Sequence, residues 1–187
     1  MAAFVVPLDT FGKDDVDVVG GKNASLGEML RALKSAGVRV PDGVAVTVAG
    51  YRAFIEHNDL DRLIAETVEG LVETDDRELA RAGETIRRAV GRGEFPPELA
   101  AQIRNGYSDL SRQFDMDEAD VAVRSSATAE DLPDASFAGQ QETMLNVTGA
   151  VDVLDAVRFC YTSLFTDRAI AYRARHGFDH RQVGLSV

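Results

Sequence analysis

The stretch VRSSATAEDLPDASFAGQQETMLNV, Val123 to Val147, decides how this chain is read. With the two residues before it, Val121-Ala122-Val123 gives a short β-branched run that predicts a strand. That strand runs straight into Arg124-Ser125-Ser126. A loop containing Gly, Pro and Ser continues to Gln141, and Thr143 to Val147 predicts the returning strand. So long a connection between two strands points to a functional or a disordered segment. Its polar, glycine-containing stretch from Asp134 to Gln141 offers little burial to offset ordering entropy, which predicts mobility without a ligand. An arginine at the end of a strand, followed by two hydroxyls, has donors suited to phosphate oxygens. Gly139 would let backbone amides close over such an anion, and Thr143 adds a hydroxyl. Two plainer readings stand beside these: Arg124 paired with Glu130, Asp131 or Asp134, and a loop that is only a hairpin tip.

Upstream, the acidic run Asp115 to Asp120 marks the best internal boundary, dividing residues 1–118 from 119–187. Residues Phe4 to Leu8 predict a strand, with Pro7 at an edge or at the end of its pairing. Gly20-Gly21-Lys22 then precedes Leu26, Met29, Leu30 and Leu33 at helical spacing, and Gly37 stands where a C′ residue belongs. The Gly-Gly-Lys therefore lies at the mouth of a helix, where amides and a mobile cation favour an anion. A simple turn explains the same glycines. Val44, Val46 and Val48 alternate as a strand. Four helices follow, marked by Tyr51-Phe54-Ile55, by the stripe Leu60 to Leu71, by Asp75 with Glu78 as a capping box, and by Pro96-Pro97. The last of these places Leu99, Ile103, Leu110 and Phe114 on its inner side. Downstream, Leu154 to Leu164 predicts a helix, Thr166 caps a shorter one, and Val183, Leu185 and Val187 alternate as a final strand. With no turn signal after it, that strand is expected to end unpaired, as in a fragment. The class is α+β.

Composition limits the partners. The net charge of −11 in 187 residues lacks the basic footprint of a nucleic-acid or anionic-membrane surface, yet leaves room for an anionic small ligand held by local cations. The single cysteine, Cys160, permits no intrachain disulfide, fits a reduced cytoplasmic setting, and falls in an apolar helical pattern as a core filler. No stretch is long and apolar enough to predict a membrane span or a signal peptide. His57, His176 and His180 lack metal-ligand spacing, and no nucleophile–base or paired-carboxylate arrangement presents itself. His180 reads as structural, held by Asp179, and Arg173 and Arg175 as a solvated helix face.

At three stretches the chain resembles the family of phosphoenolpyruvate synthases, pyruvate phosphate dikinases and rifampicin phosphotransferases. They are VGGKNASLGEM at Val19 to Met29, the Val123 to Val147 stretch, and SLFTDRAIAYRARHGFDHRQVGLSV at Ser163 to Val187. The first favours the synthase branch. The resemblance implies the N-terminal portion of an ATP-grasp-like nucleotide-binding domain, cut off before the site is complete. It implies ATP and Mg2+ as cofactors, with the metal ligands and much of the adenine pocket outside this chain. The synthase moves the β-phosphoryl group of ATP to a carrier histidine and then to pyruvate, giving phosphoenolpyruvate, AMP and phosphate. By motif position Lys22 and Arg124 are implied to hold the ATP phosphates, and Gly139, Gln140, Gln141 and Thr143 to belong to the loop covering them. No catalytic or metal-binding residue and no carrier histidine is implied among these residues. Pyruvate would be met only through other domains. The parent is implied to be a cytoplasmic dikinase of gluconeogenesis that admits a homo-oligomer, and this piece to be inactive alone. Two alternatives remain: a rifampicin phosphotransferase ATP-binding domain and a non-catalytic nucleotide-binding module.

Overall fold

The computed structural model describes residues 3–38, 40–71, 75–128, 131–132, 135–136, 142–175 and 178–187. Their elements run β1 (Val5–Pro7), α1 (Val16–Ser35), β2 (Val44–Val46), α2 (Val48–His57), α3 (Leu60–Val68), α4 (Asp76–Arg92) and α5 (Pro97–Gln113). Then come β3 (Val121–Arg124), β4 (Ser126–Ala127), β5 (Asp131–Leu132), β6 (Ala135–Ser136), β7 (Thr143–Val147), α6 (Ala150–Ser163), α7 (Asp167–Arg175) and β8 (Leu185–Ser186). Helices dominate, and among the described residues the strands form four small antiparallel pairs, β1 with β2, β3 with β7, β4 with β8 and β5 with β6.

Local chemistry accounts for most helix ends. Asp75 caps α4, its carboxylate accepting from the amides of Arg77 and Glu78 at 3.0 and 3.1 Å. Pro97 occupies the first turn of α5, where its missing N–H costs nothing. Helix α1 closes through Gly37 at φ +75°, with the Gly37 amide on the Lys34 carbonyl and the Val38 amide on that of Leu33. Those two bonds make a Schellman ending.

The main core joins both sides of the acidic boundary. Phe54, Ile86 and Leu99 from the first segment pack in one cluster with Tyr161, Phe165 and Ile170 from the second. Aromatic edges stiffen it: the Tyr51 and Tyr161 rings meet at 5.1 Å, and Phe54 stands 5.2 Å from Tyr161. Cys160 is fully buried there, and burial pushes its thiol up to about 12, so it is the core filler the sequence predicts. The Tyr107 hydroxyl donates to the Ala119 carbonyl at 2.8 Å and accepts from the Gly149 amide at 2.9 Å. The Ser111 hydroxyl accepts from the Ala119 amide at 3.0 Å. Helix α5 thereby fixes the chain leading into β3.

Several expectations need correction. Val48 is the first residue of α2, not the end of a strand, because the chain turns at Thr47. Leu71 lies beyond α3, after Gly70 at φ +72°. Phe114 is 48% exposed, since α5 ends at Gln113 and the ring falls outside its buried face. The final strand is paired: Ser126 and Ala127 oppose Ser186 and Leu185, and Val187 exchanges two backbone hydrogen bonds with Val46 at 2.7 and 3.0 Å. Arg173 is not solvated but 1% exposed.

Candidate functional site

Two segments about a hundred residues apart in sequence meet at the start of α1. Gly20 adopts φ +73° and ψ 163°, a conformation open to glycine, and so breaks the helix after one turn. The helix restarts at Gly21, placing Gly21, Lys22 and Asn23 in a fresh first turn whose amides have no intrahelical acceptor. One acceptor comes from β4: the Asn23 amide donates to the Ser126 hydroxyl at 3.2 Å. Gly20 sits so close to Ser126 that an added Cβ would fall 2.3 Å from its Oγ. Thus the Gly-Gly-Lys helix mouth is docked on the Arg-Ser-Ser segment, and Lys22 is exposed beside it.

Arg124 ends β3 directly opposite Thr143 on β7, and both are exposed. The ladder is irregular between Val121 and Val123, and Asn146 takes φ +58° on the facing strand. That bulge sharpens the local twist. The Ser125 amide donates to the Glu142 carbonyl and the Glu142 amide to the Ser125 hydroxyl, both at 3.2 Å. Ser125 and Ser126 are buried at 2% and 0% exposure. Their hydroxyls, read from sequence as donors to an anion, are engaged with Glu142 and Asn23 instead. Of the six residues implied for phosphate, the structure therefore brings Arg124 and Thr143 side by side and sets Lys22 on the helix docked next to them. Gly139, Gln140 and Gln141 lie outside the described residues, as do Asp134 and the rest of 137–141, so the expected mobility of that loop does too. Among the described residues of the connection, Asp131–Leu132 pairs antiparallel with Ala135–Ser136.

Sequence reasoning missed three participants. Gly20 carries the kink, although only the generic Gly-Gly was legible. Asn23 is 8% exposed, and its side-chain amide donates to the Ser186 hydroxyl at 3.0 Å. Ser186 in turn donates to the Val46 carbonyl at 2.7 Å. No periodicity could single out Ser186, because every residue from Val183 to Val187 is buried and neither face of that strand is the wet one.

A second cationic cluster lies in the core. Arg173 donates to the Leu164 carbonyl, donates through Nε to His180 Nδ1 at 3.0 Å, and stands 5.6 Å over the Phe165 ring. Among the described residues no carboxylate pairs with it, and burial lowers its pKa to about 10. His180 is pushed down to about 4, first by burial and then by the Arg173 charge. It is thus structural, as expected, but Arg173 holds it, and Asp179 binds Arg181 instead at 3.1 Å. Among the described residues no group of three or more His, Cys, Asp or Glu could hold a metal ion, and no helix is long and apolar enough to cross a membrane.

A mixed domain of helices and small sheets sets an exposed lysine at a helix mouth that docks on the segment after an exposed arginine, which suits an anionic ligand. The family comparison agrees: residues 16–187 match the pyruvate phosphate dikinase AMP/ATP-binding domain, and the chain belongs to that family. It is 52% identical over 185 residues to the phosphoenolpyruvate synthase of Aquifex aeolicus, covering 99% of this chain and 22% of that protein. It is 51% identical over 187 residues to that of Pseudomonas aeruginosa, covering 100% and 23%. With the Escherichia coli K12 phosphoenolpyruvate synthase it shares 51% identity over 183 residues, 98% and 23%. The chain therefore spans less than a quarter of the length of these relatives.

Proposed function

We propose that this chain is the ATP-binding portion of a phosphoenolpyruvate synthase, with an ATP-grasp-like arrangement around the nucleotide. In this reading residues 1–118 bring Lys22 and residues 119–187 bring Arg124 to one phosphate chain. The observation that carries it is the bond from the Asn23 amide to the Ser126 hydroxyl, which ties the two cationic segments together. Lys22 supplies a point charge and Arg124 a planar two-pronged donor, with the positive end of the restarted helix beside them. Thr143 faces Arg124 and adds a hydroxyl, while Gly139, Gln140 and Gln141 belong to the covering loop. Positioning and charge neutralisation of this kind are what phosphoryl transfer requires of a protein.

The reaction is ATP, pyruvate and water giving phosphoenolpyruvate, AMP and phosphate through a phosphohistidine, in a cytoplasmic enzyme of gluconeogenesis. The carrier histidine is not His180, whose Nδ1 is occupied by Arg173. Pyruvate binds through other parts of the protein. Magnesium would neutralise the phosphates further, and among the described residues no ligand cluster for it is present. The synthase names of the relatives favour this reading over a rifampicin phosphotransferase or a non-catalytic module.

The test is ATP turnover by the protein expressed from its complete reading frame. Release of AMP and phosphate that depends on pyruvate is expected, with none from the 187-residue chain by itself. AMP release that depends on rifampicin and not on pyruvate, or no ATP turnover at all, would remove the assignment.

A further inference from the structure

The start of α1 is held by a polar relay of which the phosphate reading uses only the first link. Its first link is the Asn23 amide on Ser126 Oγ at 3.2 Å; its second is Asn23 Nδ2 on Ser186 Oγ at 3.0 Å. The third is the Ser186 hydroxyl on the Val46 carbonyl at 2.7 Å. Four elements are joined by these bonds: the restarted α1, β4, β8 and β2. Asn23, Ser126 and Ser186 are all buried. In such surroundings a hydrogen bond is strong and a missing partner is expensive, so the arrangement is well specified. Ser186 and Ser126 also face each other across the β4–β8 pair, so both serines that hold Asn23 sit at one register position.

Lys22 immediately precedes Asn23, and Arg124 stands two residues before Ser126. A lysine on four rotatable bonds and an arginine on a strand end can share one phosphate chain only if their backbones are fixed. Gly20 completes the arrangement, because its missing Cβ lets the helix touch the Ser126 carbonyl, which a Cβ would approach to 2.5 Å. We infer that Asn23, Ser126 and Ser186 are positioning residues for the triphosphate of ATP, clamping the α1 mouth to β4 and β8 so that Lys22 and Arg124 keep one spacing. The inference rests on the phosphate reading of Lys22 and Arg124 and adds to it the means by which the two are registered.

The experiment uses the protein from its complete reading frame, four single variants, Lys22→Ala, Arg124→Ala, Asn23→Ala and Ser186→Ala, and the Asn23→Ala/Ser186→Ala double variant. Affinity is measured for ATP, for inorganic tripolyphosphate and for adenosine, per folded molecule, with a melting temperature for each. Asn23→Ala and Ser186→Ala should each weaken ATP and tripolyphosphate roughly three- to tenfold and leave adenosine unchanged. The double variant should lose little more than Ser186→Ala alone, since both substitutions remove the Asn23–Ser186 bond. If Lys22→Ala and Arg124→Ala weaken ATP while the other two variants bind normally, the relay is overturned and the phosphate reading stands. Equal losses for ATP and adenosine also overturn the relay, because they indicate general damage. Normal ATP binding by Lys22→Ala and Arg124→Ala ends the phosphate reading, and the relay with it. Should the Asn23 or Ser186 variants not fold, amide exchange in the unaltered protein decides. The Asn23 amide should be protected well beyond that of Gly21, and exchange as fast as that of Gly21 contradicts the relay.

Discussion

Arg124 and Arg173 show what burial does to one side chain in two places. Arg124 ends β3 on the surface, opposite Thr143, and is exposed. Arg173 lies inside the core on a carbonyl, a neutral imidazole and an aromatic face. Its charge is spread over protein dipoles and is inaccessible to any nucleotide. An arginine serves a ligand when the fold leaves its fork unfilled, and it serves the fold when its donors are consumed. Sequence cannot separate these cases, because both residues follow apolar positions in short regular elements.

The comparison breaks most visibly at Arg173. Arg173→Ala removes a buried side chain and strands the Leu164 carbonyl, at a cost of about 3 kcal/mol, and should lower the melting temperature by roughly 6–12 °C. Arg173→Met, which keeps volume and removes the charge, should recover part of that loss. Unchanged melting for Arg173→Ala would show that the residue is not an internal prop.

A smaller effect sharpens the same contrast through pH. His180 accepts from Arg173 only when neutral, and its folded pKa of about 4 lies below the usual histidine value near 6.5. The unfolded chain therefore binds the proton more readily, so the contribution of His180 is complete above about pH 6.5 and is lost as pH falls toward 4. Since the ring is half-buried, we expect on the order of 1–2 kcal/mol across that window. His180→Asn, which keeps an acceptor and cannot titrate there, should show a stability gap to the unaltered protein that narrows on acidification. A gap constant from pH 7 to pH 4 would contradict the assignment.

Much of this molecule was legible from residues alone, and the misses have physical causes. Helix periodicity, the Asp75 cap, the Pro97 start and the Gly37 ending are local signals, and each reappears in the structure. The β3–β7 pairing followed from two β-branched runs around a polar connection. Partners across long sequence distances were not legible: β8 finding β4, Val187 finding Val46, and α7 turning Arg173 inward. Lys22 and Arg124 were recognised as candidates by residue type and motif. That their segments are fastened together through Asn23 and Ser126 depends on a positive φ at Gly20 and on Ser126 standing in trans, which no spacing rule encodes.

The most direct test of the central claim is a double-mutant cycle on ATP binding by the protein from its complete reading frame, with Lys22→Ala, Arg124→Ala and the pair. Each single variant should weaken ATP about ten- to a hundredfold with melting nearly unchanged, since both side chains are exposed. On the proposed reading both cations hold one phosphate chain, so the pair should depart from additivity by a factor of about three or more. Strict additivity, or ATP affinity that survives either substitution, would mean that Lys22 and Arg124 do not share a ligand.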